Sequence, residues 1–369
     1  MRHPSALFAT IALVACTPPA PPVETPRAQA GWTVSGAAPA IPAGALRAKG
    51  LWNDPSVVRD GDGYVMYLTS SVDEPFKPPV LPFRATSPDG VAWTLDPQGP
   101  LLQPVAPYAS IETPSVVRFA GRWHLFFTGV YAKPDPAPMA IGHAISDDGI
   151  HWRIDRPVLV AATGRAGDWD SYLVAEPGAV VVGAKLIVYF SAVGGRASGS
   201  PPQVQTIGAV TSADGATFSA PAQVLAQGPL YPAAQGYVGY SSPAAAVAGG
   251  RVQLFYSVAH YSKGGDPEWQ QVAIQHASSA DGLTGFVEDA APILTRDSTA
   301  WTTGEVLAPA PLVDGDTLKL WFAGHVRNRD LGPLIARGVA GPEFGIGLAS
   351  HDLSSFVTAT SNPIQGEKR

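Results

Sequence analysis

The chain alternates short apolar runs with clusters of turn-forming residues, and the same alternation returns five times. Each copy has a proline followed by small or β-branched residues, then a turn, and then an aromatic-rich apolar run. By subtraction the prolines lie 59, 63, 66 and 66 residues apart, and they are Pro55, Pro114, Pro177, Pro243 and Pro309. A period of this length indicates one supersecondary unit repeated along the chain.

A second turn signal falls later in each copy. The pattern Ser-x-Asp-Gly begins at Ser87, Ser146, Ser212 and Ser279, and the fifth copy reads Ser350-His-Asp352-Leu353. Asp and Ser side chains bond to the backbone of turns, and Gly accepts a positive φ, so the pattern predicts a tight turn. An aromatic residue follows each Asp by four or five residues and is expected to pack over that turn.

Each copy therefore predicts a four-stranded antiparallel meander, in which the Ser-x-Asp-Gly turn joins the third strand to the fourth. Five such units closing radially form an all-β, five-bladed β-propeller, because closure leaves only short, protected edges. We expect the propeller to span residues 50–369, with blades beginning near residues 53, 112, 175, 241 and 307. The strand-like periodicity, without a long amphipathic helix pattern, excludes a helical solenoid.

The N-terminus has the features of a targeting segment. Residues 1–15 combine a basic start with a short apolar stretch, which predicts a signal peptide. Leu13-Val-Ala-Cys16 resembles the lipobox of bacterial lipoproteins, so we expect lipidation of Cys16 and a Pro/Ala-rich tether over residues 16–49. The alternative is an ordinary secretory signal that contains a chance cysteine. Lipidation would place the protein in the cell envelope, in contact with the membrane through its lipid anchor only.

Composition narrows the function classes. Only 15% of the residues are charged, the net charge is −6, and no basic cluster occurs, which argues against nucleic-acid binding. The single cysteine excludes disulfides and cysteine-based zinc sites. No phosphate-binding loop, dinucleotide-binding loop or His-Glu-x-x-His motif is present. We expect a monomer without a cofactor or metal, although an axial ion such as calcium is compatible with the fold.

Candidate chemistry lies directly before the prolines. The first strand of each propeller blade runs beside the axis, and the residues at its start line one mouth of the channel. The five positions before the prolines are Asp54, Thr113, Glu176, Ser242 and Ala308, and Glu112 comes one residue before Thr113. Carboxylates thus fall in the first three blades only. Clustered carboxylates held at different pKa values are what glycoside hydrolysis requires.

Each carboxylate also has a structural interpretation. Asp54 is compatible with an Asp-Pro turn that caps a strand. Glu176 is compatible with a solvated loop charge, or with a partner for Arg165 or Arg196. Glu112 lies outside the aligned position, which favours a surface role for it.

The first blade resembles a known family. Trp52-Asn53-Asp54-Pro55, followed by Ser-Val-Val and a Gly-Asp-Gly-Tyr-Val-Met-Tyr hairpin, is similar to the first blade of the five-bladed glycoside hydrolases. That superfamily includes the family 43 arabinanases and xylosidases, the invertases and levansucrases, and the mannoside phosphorylases. The resemblance covers residues 50–362. It implies that Asp54 is the general base or nucleophile, and that Glu176 tunes pKa values or holds the substrate.

The fourth blade departs from the family pattern, which has a Glu as general acid at its start. Here the chain has Tyr240-Ser-Ser-Pro243. Glu176 or Glu112 would take the acid role, or Glu305 would reach in from the loop before the fifth blade; otherwise nothing is hydrolysed. Two functions remain open: a glycosidase that hydrolyses O-glycosidic bonds of a carbohydrate, and a non-catalytic surface lipoprotein that binds glycans or proteins on the same fold.

Further residues near the expected channel mouth are candidates for contact with a sugar. They are Trp52, Asn53, Asp170, Tyr172, Tyr240, His260, Glu305, His325 and Arg327. Aromatic rings suit the C–H faces of sugars, and they equally suit packing between blades.

Overall fold

The computed structural model describes residues 27–42, 52–71, 79–133, 137–194, 204–262, 268–326 and 344–361. The predicted signal peptide, Cys16 and Arg327 lie outside these ranges. The regular secondary structure of the described residues is almost entirely β-strand, and none of their helices is long and apolar enough to cross a bilayer.

The strands are numbered in chain order. They are β1 (Thr33–Val34), β2 (Asn53–Asp60), β3 (Gly63–Ser71), β4 (Val80–Ser87), β5 (Thr94–Leu95), β6 (Tyr108–Phe119), β7 (Arg122–Tyr131), β8 (Met139–Ser146), β9 (Arg153–Ala161), β10 (Leu173–Val182), β11 (Lys185–Val193), β12 (Gln205–Ser212), β13 (Ala222–Leu225), β14 (Tyr237–Ala248), β15 (Arg251–Ser262), β16 (Glu268–Ser279), β17 (Val287–Glu288), β18 (Leu294–Thr295), β19 (Glu305–Asp314), β20 (Thr317–His325) and β21 (Gly345–Asp352). Within the described ranges one α-helix, α1, spans Leu353–Ser361. Short 3-10 turns cover Ala233–Gln235 and Arg296–Ser298.

These strands form five antiparallel blades, which confirms the predicted propeller. Blade one is β2-β3-β4-β5, blade two is β6-β7-β8-β9, and blade three is β10-β11-β12-β13. In blade four, β14-β15-β16 is completed by β17 and β18, which both pair with β16. Blade five contains β19, β20 and β21. The innermost strand of each blade is the one that carries the repeated proline.

The fifth blade corrects two expectations. Its outermost strand is β1, from the N-terminal side of the chain, which pairs with β21 through Thr33–Ser350 and Val34–Ala349. This part of the predicted tether therefore belongs to the propeller. The fourth strand expected after Asp352 is instead α1, because Leu353 replaces the turn glycine and Asp352 Oδ1 accepts the amide of Ser355 at 2.8 Å, as a helix cap does.

The repeated turns also join neighbouring blades. In blade one the Ser87 hydroxyl accepts the Gly90 amide at 2.8 Å, and Trp93 donates its indole N–H to the Gly90 carbonyl at 3.1 Å. Trp321 of blade five donates to the same carbonyl at 2.9 Å, which links the last blade to the first. Tyr67 of blade one donates in the same way to the turn of blade two, at 2.9 Å from the Gly149 carbonyl oxygen. The predicted packing of aromatic residues over the turns thus extends across blade boundaries.

Candidate active site at the mouth of the central channel

The innermost strands of all five blades surround a central channel with a volume of about 360 Å³. The residue before each repeated proline lines this channel, and the prolines and the small residues after them line it further in. We call the five pre-proline residues the bulge residues. They are Asp54, Thr113, Glu176, Ser242 and Ala308.

A β-bulge occurs at this point in every blade. The register between the first and second strands shifts there in each sheet, as between Asn53 and Ser56 in blade one. All five bulge residues have a left-handed backbone, with φ between 47° and 54°. A non-glycine residue in this region costs about 1–2 kcal/mol. The strain persists because the strands on both sides of the bulge are fully paired.

Hydroxyl groups on the second strands support the bulges of the following blades. Each accepts the backbone amide of the next bulge residue: Thr69 from Thr113 at 2.9 Å, Thr128 from Glu176 at 2.8 Å, Ser191 from Ser242 at 2.9 Å, and Ser257 from Ala308 at 3.0 Å. We call these four side chains the hydroxyl ring. At the step from blade five to blade one the equivalent position is Ala323, which has no hydroxyl.

Glu176 reaches from blade three toward blade four. One of its oxygens, Oε2, accepts the Ser191 hydroxyl at 2.6 Å and the backbone amide of Ser242 at 2.8 Å. The small side chain of Ser242 leaves the start of blade four open to this approach. A negative charge from blade three therefore lies beside the position at which blade four lacks a carboxylate.

The charge of Glu176 affects the pKa values of Asp54 and Glu112. Burial raises the pKa of Asp54 well above its usual value, the charges of Glu176 and Glu112 raise it further, and a hydrogen bond with Thr69 partly opposes the rise. Burial, followed by the charge of Glu176, raises the pKa of Glu112 from 4.5 to about 7. Both side chains keep partial contact with solvent. The structure thus brings the three predicted carboxylates together, and we call them the carboxylate cluster.

Two aromatic residues predicted to contact sugar lie instead in the core, which corrects that expectation. Trp52 is 0% exposed and packs edge-on against Phe83. Tyr240 is also 0% exposed, and it donates its hydroxyl to Glu288 at 2.5 Å inside blade four. Both rings are enclosed by neighbouring strands, because burial of a large aromatic surface stabilises a blade more than exposure at the mouth.

Three further candidates lie around blades one and three. Asn53 pairs with Thr69 in the sheet of blade one and directly precedes the bulge. Asp170 is 4% exposed, and burial raises its pKa. Tyr172 is half-buried and donates its backbone amide to the Val193 carbonyl at 3.0 Å. Neither Asp170 nor Tyr172 lines the central channel.

The remaining candidates lie in blades four and five, near the strand ends that face the channel mouth. His260 bonds through Nε2 to the Gln235 carbonyl oxygen at 3.0 Å, and burial lowers its pKa. Glu305 accepts His325 Nε2 at 3.0 Å and the Gln271 amide at 2.7 Å. The other His325 nitrogen faces the Val326 carbonyl at 2.6 Å. Glu305 is therefore held at the boundary between blades four and five, outside the channel lining.

The hydroxyl ring is the part of the site that sequence reasoning missed. Its signal is present in the aligned second strands, which carry Thr, Thr, Ser, Ser and Ala at the same point of the five repeats. These side chains are neutral, so the pattern of carboxylates does not include them. Among the described residues, no group of three or more His, Cys, Asp or Glu side chains is arranged to hold a metal ion.

No protein-family model matches the chain, and no curated protein is similar to it in sequence. Solved structures are similar in fold. A family 117 glycoside hydrolase produced by the marine bacterium Zobellia galactanivorans has a TM-score of 0.59 and 17% identity, covering 88% of this chain and 90% of that chain. A thermostable family 43 glycoside hydrolase has a TM-score of 0.59 and 14% identity, covering 81% and 88%.

The catalytic domain of a family 62 α-L-arabinofuranosidase from Coprinopsis cinerea is similar over 87% of this chain and 96% of its own length, with a TM-score of 0.57 and 13% identity. At these identities the likeness establishes a shared fold. The protein has the five-bladed β-propeller fold of these glycoside hydrolases.

Proposed function

We propose that the protein is a glycosidase that hydrolyses an O-glycosidic bond of a carbohydrate at the mouth of its central channel. The observation that carries the proposal is the convergence of Asp54, Glu112 and Glu176, with raised pKa values for the first two. When a group of carboxylates carries fewer negative charges than it has members, at least one member is protonated and another is ionised. The group then supplies both a proton donor and a proton acceptor near neutral pH. The fold of the similar solved structures supports the same reaction class.

Within the cluster, Glu112 is the general acid. Its pKa of about 7 keeps it protonated in mildly acidic to neutral solution, as donation to the leaving glycosidic oxygen requires. Asp54 then removes a proton from the attacking water, or attacks the anomeric carbon itself. The charge of Glu176, whose Oε2 accepts hydrogen bonds from Ser191 and Ser242, raises the pKa values of the other two. The pair formed by Asp54 and Glu112 titrates as a unit that shares a proton.

A second candidate function is binding without turnover. It is favoured by the start of blade four, which reads Tyr240-Ser-Ser-Pro243 and carries no carboxylate where the resemblance leads us to expect the general acid. A binding propeller would use the same mouth but would not depend on a proton held by Glu112.

The test is turnover of a panel of aryl glycosides and polysaccharides by the purified protein, alongside Asp54→Asn and Asp147→Asn. Asp147 is a matched control because its side chain is 88% exposed on the opposite face. Loss of turnover in Asp54→Asn only is the expected result. Equal turnover in all three proteins would contradict the assignment. Thermal stabilisation by a glycan that none of them cleaves would instead support the binding function.

A further inference from the structure

Members of the hydroxyl ring make different hydrogen bonds in a blade that has a carboxylate at its bulge and in one that does not. Ser191 makes two contacts at once: it donates to Glu176 Oε2 at 2.6 Å and accepts the Ser242 amide at 2.9 Å. Ser257 holds the equivalent position in blade four and accepts the Ala308 amide at 3.0 Å. Its own blade carries Ser242 as the bulge residue, so no carboxylate is available to it there. The two serines share a backbone role, and only Ser191 adds a bond to an acid.

The Ser242 amide closes a small triangle. It lies 2.8 Å from Glu176 Oε2 and 2.9 Å from the Ser191 oxygen, so one N–H is shared between a carboxylate and the hydroxyl that donates to the same carboxylate. This arrangement fixes which oxygen of Glu176 faces blade four. It leaves the other oxygen, Oε1, turned away from this pair of donors.

We propose that Ser191 is a positioning residue, whose hydroxyl holds the Glu176 carboxylate against blade four and thereby sets how protons are shared in the carboxylate cluster. This inference deepens the proposed function and rests on it for its catalytic consequence. Its effect on protonation does not require any substrate.

The effect of Ser191 on protonation follows from what its removal would do. Removing the Ser191 hydroxyl takes away one of the two donors on Glu176 Oε2, which makes the ionised form of that carboxylate less stable and gives it a larger share of the protons that the cluster binds. The titratable groups that act on one another here are Asp54, Glu112 and Glu176. Thr69 bonds to Asp54 in blade one and is not altered by the change.

The test is a carboxyl-carbon NMR titration of the whole protein with its Ser191→Ala and Ser257→Ala variants, followed by its pH–rate profile. In Ser191→Ala the pH at which the Glu176 carboxyl carbon titrates is expected to rise by about one pH unit, because the lost hydroxyl bonded to Glu176 Oε2. Ser257→Ala should leave that pH unchanged, because it removes only the backbone contact. Equal shifts in both variants, or none in either, would overturn the inference.

A second pair guards against misfolding. Ser191→Thr keeps the hydroxyl, and Ser191→Val has nearly the same shape without it; β-branched Thr already occupies the equivalent positions 69 and 128. The Thr variant should titrate like the wild type and the Val variant like Ser191→Ala, whereas identical titrations would contradict the role. The rate profile of an active enzyme should shift with the titration. A titration shift without turnover on any substrate would instead count against the proposed function alone.

Discussion

Blades one to three and blades four and five present the same backbone to the channel mouth and different chemistry. The bulge residues of the first group have φ values of 50°, 51° and 54°, and those of the second group have 47° and 50°. Ala308 has no group that can react, yet its backbone is as strained as that of Asp54. The strain therefore belongs to the propeller, which needs a bulge in every innermost strand, and it does not by itself mark a catalytic residue.

What distinguishes the two groups is the charge that the bulges carry. Asp54 and Glu176 occupy bulge positions that line the channel. Glu112 is outside that lining, one residue before the bulge of blade two, and it is coupled to both by charge, so the three carboxylates belong to the first three blades. Ser242 and Ala308 leave the other side neutral, and the Glu176 carboxylate bridges the two sides through the Ser242 amide. A repeated scaffold thus supports a local site because a few of its equivalent positions differ in side chain.

The largest effect on activity is expected from replacing Glu112, the proposed acid on the charged side of the mouth. Glu112→Gln keeps the size of the side chain and removes the transferable proton, so kcat/KM should fall by about 10³-fold. Ser242→Ala, on the neutral side, removes only a hydroxyl and should retain most of the activity. Initial rates on the best substrate from the panel measure both. If Ser242→Ala loses as much activity as Glu112→Gln, the two sides do not differ in the way proposed.

The pH dependence of the free energy of unfolding gives a second test of the same comparison. The folded-state pKa of Glu112, about 7, exceeds its usual value of 4.5, so its contribution to stability is fully present below about pH 4.5 and is lost as the pH rises through about 7. In Glu112→Gln this loss of stability at high pH is absent, because the amide does not titrate. Relative to wild type, the variant should gain up to about 3 kcal/mol in the free energy of unfolding on going from about pH 4 to about pH 8.

The matched control has the opposite sign. Asp214 lies in the turn of blade three, where the Thr217 and Ala216 amides and the Ser212 hydroxyl lower its pKa to about 2. Its contribution is present above its usual pKa of 3.8 and is lost as the pH falls through about 2. Asp214→Asn should therefore destabilise the protein at neutral pH, and the difference should shrink in acid. Denaturant unfolding across the pH range measures both variants, and shifts of the same sign would contradict the assignment.

The smallest expected effect tests the backbone that the two groups share. Ala308→Gly relieves a positive φ, whereas Ala310→Gly, two residues further along the same strand, relieves none. Both remove a buried methyl group. Ala308→Gly should therefore be the less destabilising by about 1–2 kcal/mol, as measured by thermal or denaturant unfolding. Equal losses would mean that the bulge carries no strain.

Much of the fold could be predicted from local sequence patterns. Pro55 and its four counterparts mark the innermost strands, and Ser87-Pro-Asp-Gly90 marks a turn whose hydrogen bonds form within a few residues. The position of Asp54 at the channel followed from its place before Pro55. The sequence left open whether aromatic candidates such as Trp52 and Tyr240 contact sugar or pack between strands, since sequence position near the mouth does not say which way a ring points; both rings are buried.

The sequence by itself determined the number of blades, the order of the three inner strands in each and the restriction of carboxylates to the first three blades, because hairpins and turns form between residues close in the chain. The tertiary structure alone decided that β1 completes blade five, that Glu176 bonds to an amide of blade four, and that Asp54 and Glu112 acquire raised pKa values. These features depend on contacts between repeats about sixty residues or more apart, which exist only once the ring has closed. Burial and charge coupling are properties of that closed ring.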